Sequence, residues 1–291
     1  MILMVNDESG KHLIIHTYEP DNVLARGLWR VFPAIFLEVA SNRWLTFQLF
    51  RRDFLALYKQ SLFGFLWALV IPLVSVGTFV VLNRSGVFRI AGLSVPYPVF
   101  AVLGVAHWQL FSTGLMGAAN SLVRAGPMIM KINFSRKSLV IAAFGQSLVA
   151  FAVQWLLALV LCAVYGVTPS MWILLLPLLL LPLAWTTLGL GFILSILNGI
   201  MRDVGNTLGV LLTFFMFLTP VLYPRPAGGL LGRITAFNPI YYMVSVPRDL
   251  ALTGHTSEWA GFGVSAAVGV VIFMVCIYGF HLAETRVTER V

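Results

Sequence analysis

The chain has 291 residues, 59% of them hydrophobic and only 10% charged, with a mean hydropathy of +0.91. Soluble domains carry about 25% charged residues, so a soluble globular protein is excluded and a single membrane domain accounts for nearly the whole length. The net charge of +8 is clustered beside apolar runs rather than in a basic-aromatic groove, which points to membrane orientation and anionic lipid and away from nucleic acid.

In chain order, Met1 to Tyr18 carries Asp7 and Glu8 and has no long apolar run, so it is not a cleavable signal. Residues 1–33 are expected to form an N-terminal cytosolic extension. Residues 34–61 are expected to hold an amphipathic interface helix. Phe47, Phe50, Phe54, Leu57 and Tyr58 share one helical face. Gln48, Arg52, Asp53, Lys59 and Gln60 lie away from it, Arg51 falls at its edge, and Leu45 and Leu49 interrupt the polar side. Such a helix suits the headgroup boundary, as a plain juxtamembrane anchor also would.

Six spans follow, at about 62–83, 98–120, 139–165, 171–197, 206–224 and 259–282. Residues 138–201 carry no charge and are too long for one span; Gly166-Val-Thr-Pro169-Ser170 divides them. Pro72 is expected to kink the first span, Pro177 and Pro182 the fourth, and Pro220 the fifth near its outer end. Gly205-x-x-x-Gly209 opens the fifth with a spacing that permits close helix approach. Residues 225–255 contain Pro226, Gly228, Gly229 and Pro239, which interrupt any seventh span. They read as short re-entrant helices or as an ordinary outer loop. With both termini in the cytosol, 14 of the 19 basic residues lie inside; only Arg84, Arg89, Arg225, Arg233 and Arg248 face out. Residues 284–291 then form a cytosolic tail.

No Gly-rich loop precedes a Lys-Ser or Lys-Thr pair; Lys137-Ser138 supplies only the last two letters of a phosphate-binding motif. The predicted spans contain no Asp or Glu, which argues against ion-coupled transport, and His107 is the one titratable side chain well inside a span. Hydrolase and metalloprotease motifs are absent, Arg202-Asp203 reads as an isolated pair, and Cys162 and Cys276 lie in apolar runs without metal or disulfide spacing. What remains is aromatic. Trp67, Trp108, Phe111, Trp155, Phe214, Phe215, Phe217, Tyr223, Tyr241 and Tyr242 offer faces on which sugar rings stack, or else ordinary interfacial belts.

The pattern from Gln60-Ser61-x-x-Gly64-x-Leu66-Trp67-Ala68-x-x-x-Pro72, through Val95-Pro-Tyr-Pro-Val-Phe100 and Asn198-x-x-x-Arg202-Asp203-Val204, to Thr219-Pro-Val-Leu-Tyr-Pro224 and Phe237-Asn-Pro-Ile240 resembles the permease subunits of type-2 ABC exporters. The resemblance is strongest to those exporting lipid-linked O-antigen, capsule or teichoic acid. It covers about residues 40–285, departing at Ser135, where the family usually has proline.

The resemblance implies an all-α integral membrane protein with a six-span domain over 62–283. It implies a homodimer bound to two copies of a separate ATPase, which would hold ATP and Mg, with no cofactor in this chain and no enzymatic activity of its own. It implies a multi-pass location in the bacterial plasma membrane. The cytosolic loop 122–138 would dock on the ATPase, with Arg124, Lys131, Arg136 and Lys137 at the contact. The gate and interface helix would draw on Arg51, Arg52, Tyr58, Gly64, Trp67 and Pro72, and Arg51 or Arg52 would meet a lipid-linked pyrophosphate. Channel aromatics would be Phe214, Phe215, Phe217 and Tyr223. The substrate would be a lipid-linked glycan on an undecaprenyl-diphosphate-type lipid. A drug or lipid exporter of the same type and an integral-membrane enzyme of glycan assembly are the alternative readings.

Overall fold

A computed structural model describes residues 3–6, 12–15, 28–59, 66–86, 93–129, 135–226 and 228–288. The chain forms two units, Met1–Glu38 and Val39–Val291. The first adds a short strand pair to an otherwise helical chain. It holds an antiparallel hairpin, β1 (Leu3–Asn6) on β2 (His12–Ile15), with Leu3 opposite Ile15 and Asn6 opposite His12. Both four-residue segments are rich in aliphatic side chains suited to a pleated surface. Helix α1 (Leu28–Ser41) begins in this unit and runs across its boundary.

The second unit is helical. After α2 (Arg43–Lys59) and α3 (Trp67–Arg84) come α4 (Tyr97–Arg124), the single turn α5 (Gly126–Ile129), α6 (Arg136–Tyr165), α7 (Leu176–Ile200), α8 (Asp203–Leu218), α9 (Gly229–Phe237), α10 (Pro239–Thr253) and α11 (Trp259–Thr288). Among the described residues, four stretches are long and apolar enough to cross a bilayer: Tyr97–Arg124, Arg136–Tyr165, Met171–Ile200 and Trp259–Glu284. They coincide with the predicted second, third, fourth and sixth spans. At the first and fifth positions stand α3, of 18 residues, and α8, of 16, about 27 and 24 Å long at 1.5 Å per residue. Helix α3 continues through Pro72.

Helix α4 is the centre of the unit. In its most apolar stretch 78% of residues are buried, against 22% in α11. It packs between α6 and α7, and α7 packs in turn on α11. Glycines make these approaches close. A Cβ on Gly191 would stand 2.6 Å from that of Ala118 in α4, and one on Gly189 would stand 2.7 Å from the Phe273 Cα in α11. The outer faces are apolar as well. Leu156, Val160 and Val164 form an exposed row along α6, the surface expected against lipid.

The predicted break between the third and fourth spans is a left-handed Gly166 (φ 68°), followed by Ser170, whose backbone N–H donates to Ala251 O at 2.9 Å. The segment after the fifth predicted span is helical rather than an irregular loop. At nine and fifteen residues, α9 and α10 are shorter than a span, and α10 is deeply buried, with Met243, Val244 and Val246 at 0% exposure.

Candidate functional site

The interface helix docks differently from its sequence pattern. Leu49 is buried with Ala125, Leu139 and Ala142, and Leu45 and Phe50 pack at the edge of that cluster. The inward stripe of α2 is therefore Thr46, Leu49, Phe50, Asp53 and Phe54, at i, i+3, i+4, i+7 and i+8, whereas Trp44, Phe47 and Leu55 are exposed. Leu49 and Asp53, expected on the polar side, thus turn toward protein, and Phe47 turns away from it. Helix α2 therefore carries two apolar faces, one packed on protein and one exposed. Arg52 pairs with Asp53 at 2.7 Å and donates to the Met128 Sδ of α5 at 2.9 Å, linking the interface helix to the turn after α4. Arg51 is exposed. Gly64 lies outside the described residues. Tyr58 and Pro72 are placed within α2 and α3, and Trp67, at the start of α3, is 45% exposed.

Of the expected coupling residues, Arg124 ends α4 and is exposed, and Lys131 lies outside the described residues. Lys137 is 1% exposed and its Nζ meets Glu284 Oε2 of α11 at 2.5 Å; Glu284 Oε1 also accepts the Arg136 backbone N–H at 2.8 Å. That carboxylate satisfies an otherwise orphan donor in the first turn of α6, where the helix dipole favours negative charge. Lys137 is thus an internal tie rather than a surface cation. Half-buried Arg136 stays beside it.

Two cavities meet above this junction. One, of about 270 Å³, is bounded by Arg52 and Asp53 of α2, Ser121 and Arg124 of α4, and Gln146 of α6. The second, of about 460 Å³, is bounded by Phe54, Gln109, Ser112, Thr113 and Gln146, and reaches α8 at Gly209. Arg124, Ala143 and Gln146 border both.

The turns on either side of α8 are built by two asparagines. Asn198, 2% exposed, accepts the Gly205 N–H at 2.8 Å and donates to Ala119 O and Asn120 Oδ1 at 3.2 and 3.0 Å. It caps α8 from the previous helix, and a Cβ on Gly205 would lie 2.9 Å from its Oδ1. Beyond α8, Asn238 donates to Thr219 Oγ1 at 2.8 Å and accepts the Ile240 N–H at 3.0 Å, with Pro239 at the first position of α10. Nearby, the Arg248 guanidinium is 3% exposed, 3.8 Å over the Phe100 ring, and bonded to Asp249. Glu258 pairs with Arg225 at 3.0 Å. Burial pushes the Tyr241 phenol above its ordinary range, and the Glu258 carboxylate acts in the same direction.

A family model described as ABC-2 type transporter matches residues 45–252. The chain belongs to the ABC-2 type transporter family. The O-antigen export system permease protein RfbA of Myxococcus xanthus is 32% identical over 261 residues, covering 87% of this chain and 98% of that protein. A protein of the same name from Klebsiella pneumoniae is 27% identical over 246 residues, covering 82% and 91%. The ABC-2 match runs from α2 to α10 and leaves out the hairpin unit and α11.

In this ABC-2 chain the expected channel aromatics separate. Phe214 and Phe217 are 65% and 58% exposed and share a face of α8 with Val210, Leu211 and Leu218. Phe215 instead packs inward, its ring centroid 5.9 Å from that of Trp108 and 6.5 Å from that of Phe111. The Tyr223 hydroxyl donates to Phe217 O. His107 is buried, with Nδ1 2.7 Å from Leu103 O and its ring edge-on to Phe151 and Trp155, a packed position rather than a relay. Attention to charge and aromatics missed Gln109, Gln146, Asn120 and Glu284. For Gln109, Gln146 and Asn120 the signal was uncharged polar residues recurring inside the spans, which are costly in hydrocarbon unless a partner or a cavity receives them; Glu284, at the edge of the predicted tail, carried no such signal.

Proposed function

We propose that this chain is the membrane permease subunit of an ATP-driven exporter that moves a lipid-linked polysaccharide, O-antigen-like and carried on an undecaprenyl-diphosphate-type lipid, from the cytosol to the outer face of the bacterial inner membrane. The observation that carries the reading is end-to-end likeness to an O-antigen export permease, 98% of which aligns with this chain. The docked interface helix beside α5 supports it, since Arg52 links that helix to the turn after α4.

In this reading the protein works as a homodimer with two copies of an ABC ATPase, which bind ATP and Mg. Each protomer crosses six times with both termini in the cytosol, and α9 and α10 re-enter from outside. The turn after α4, with Arg124 and Arg136, receives the ATPase stroke. That stroke shifts α2 against the neighbouring ends of α4 and α6, while Arg51 or Arg52 meets the pyrophosphate at the interface. The exposed faces of α3 and α8, carrying Trp67, Phe214 and Phe217, meet their counterparts around the path, where aromatic faces let sugar rings slide.

The test is polymer at the cell surface. Deleting the gene should abolish surface polymer and leave lipid-linked polymer inside, and restoring the chain should reverse both. Unchanged surface polymer after deletion overturns the reading.

A further inference from the structure

The two cavities that meet at Gln146 form one cleft, and its lining changes with depth. At its mouth stand Arg52, Asp53 and Arg124; further in are Gln109, Ser112, Thr113 and Gln146. Gln109 precedes Arg124 by 15 residues on α4, about 22 Å along the axis at 1.5 Å per residue. Gln146 follows Arg136 by ten residues on α6, about 15 Å. Against a hydrocarbon core of about 30 Å, both amides lie at membrane depth.

Polar groups there need a partner or water. Gln109 has one, accepting from Gln154 Nε2 at 2.7 Å. Gln154 is 2% exposed, and its own Oε1 finds no hydrogen-bond partner among the described residues. A seam kept narrow by Gly114 and Gly117 borders the polar wall. A Cβ at Gly114 would stand 2.8 Å from Ser147 Oγ, and one at Gly117 would stand 3.5 Å from Ala143 O.

We propose that this cleft is water-filled from the cytosolic side and is a binding groove for sugar hydroxyls of the exported glycan, in addition to any aromatic path. The inference rests on the polysaccharide-export reading and deepens it. The chemistry of the wall selects the ligand class. Beyond Arg124 the named polar groups are neutral amides and hydroxyls, each able to donate and accept, which matches sugar hydroxyls rather than an ion. Such hydrogen bonds exchange with water at a small net cost, so a polymer can move along them. The ring of Phe54, at the cleft edge, supplies an apolar face for the C–H side of a sugar.

The experiment uses inside-out membrane vesicles holding the chain and its ATPase, with the sulfonatoethyl methanethiosulfonate anion as probe. Thr113→Cys and Gln146→Cys are labelled, with lipid-facing Leu148→Cys (42% exposed) as control; native Cys162 and Cys276 set the background. A thiol in hydrocarbon keeps a raised pKa and little thiolate, so both cleft variants should label at least about tenfold faster than the control. Adding a polyprenyl-diphosphate-linked oligosaccharide should slow cleft labelling severalfold, and sugar-free polyprenyl diphosphate should not. Cleft variants that label no faster than Leu148→Cys overturn the aqueous cleft. Equal protection by the sugar-free lipid, or no protection by either, overturns the glycan assignment. Labelling is read without export, so these failures are separable from failure of the export reading itself.

Discussion

Glu284 does two things from one carboxylate: it neutralises a buried ammonium and caps the helix that carries it. Removing one partner of a buried pair costs far more than replacing both. Glu284→Ala should therefore destabilise the domain by about 3 kcal/mol, whereas Lys137→Met with Glu284→Gln should recover most of the loss, since the amide oxygen still accepts the Arg136 N–H. Thermal unfolding in detergent measures both. A Lys137→Met variant that keeps its stability but loses ATPase binding would return Lys137 to the surface role suggested by its sequence position. Asn198 makes a parallel case. Asn198→Leu orphans the Gly205 N–H and removes the donor to Asn120 Oδ1, a loss of about 2–3 kcal/mol. Gly205→Ala drives a methyl against the same side chain, so the two changes should be less than additive in a double-mutant cycle of melting curves. Neither tie was legible from sequence. Lys137 and Glu284 are 147 positions apart, and Glu284 fell in what read as a tail. Asn198 and Gly205 both stood out in the sequence, the one in the Asn-x-x-x-Arg-Asp motif and the other in a Gly-x-x-x-Gly spacing, but nothing in one dimension said that they touch.

At the scale of elements, span positions were legible and faces were not. Length, apolarity and breakers located α4, α6, α7 and α11, because a membrane span is a one-dimensional property. Which side of α2 turns inward depends on neighbours supplied by α4 and α6. Its aromatic row read as a membrane-facing stripe through Phe47, and the stripe that packs on protein runs instead through Leu49, 5% exposed against 51% for Phe47. Phe215 likewise shares its helix with two exposed phenylalanines but packs on Trp108, a difference that the sequence does not mark. Leu49→Ala should cost about 2–4 kcal/mol by opening a cavity against Ala125, Leu139 and Ala142. Phe47→Ala should change the unfolding free energy by no more than about 0.5 kcal/mol. Comparable losses at the two positions, read from melting curves in detergent, would mean that α2 docks through its aromatic row after all.

For the whole molecule, the number of crossings is set by the two shortest candidates, α3 and α8, and charge gives a way to decide. If both cross, 14 of the 19 basic residues lie in the cytosol. If neither does, the turn after α4 and the stretch around Arg202 move outside and Arg84 and Arg89 move in, leaving eleven inside and eight outside. The first arrangement agrees far better with positive-inside orientation. It also puts Arg124 and Arg52 at the cytosolic surface that an ATPase must reach. Alkaline phosphatase, active only where disulfides form, reads the difference when fused after Ile129, Ser170 or Met201. Six crossings predict activity after Ser170 and none after Ile129 or Met201. Four crossings predict the reverse at all three. A fusion after Thr256 is active either way and so controls for expression. An α3 of about 27 Å and an α8 of about 24 Å match a core of about 30 Å only with local thinning or help from flanking residues. Leu66 before α3 and the Thr219–Tyr223 turn after α8 are the residues positioned to give that help.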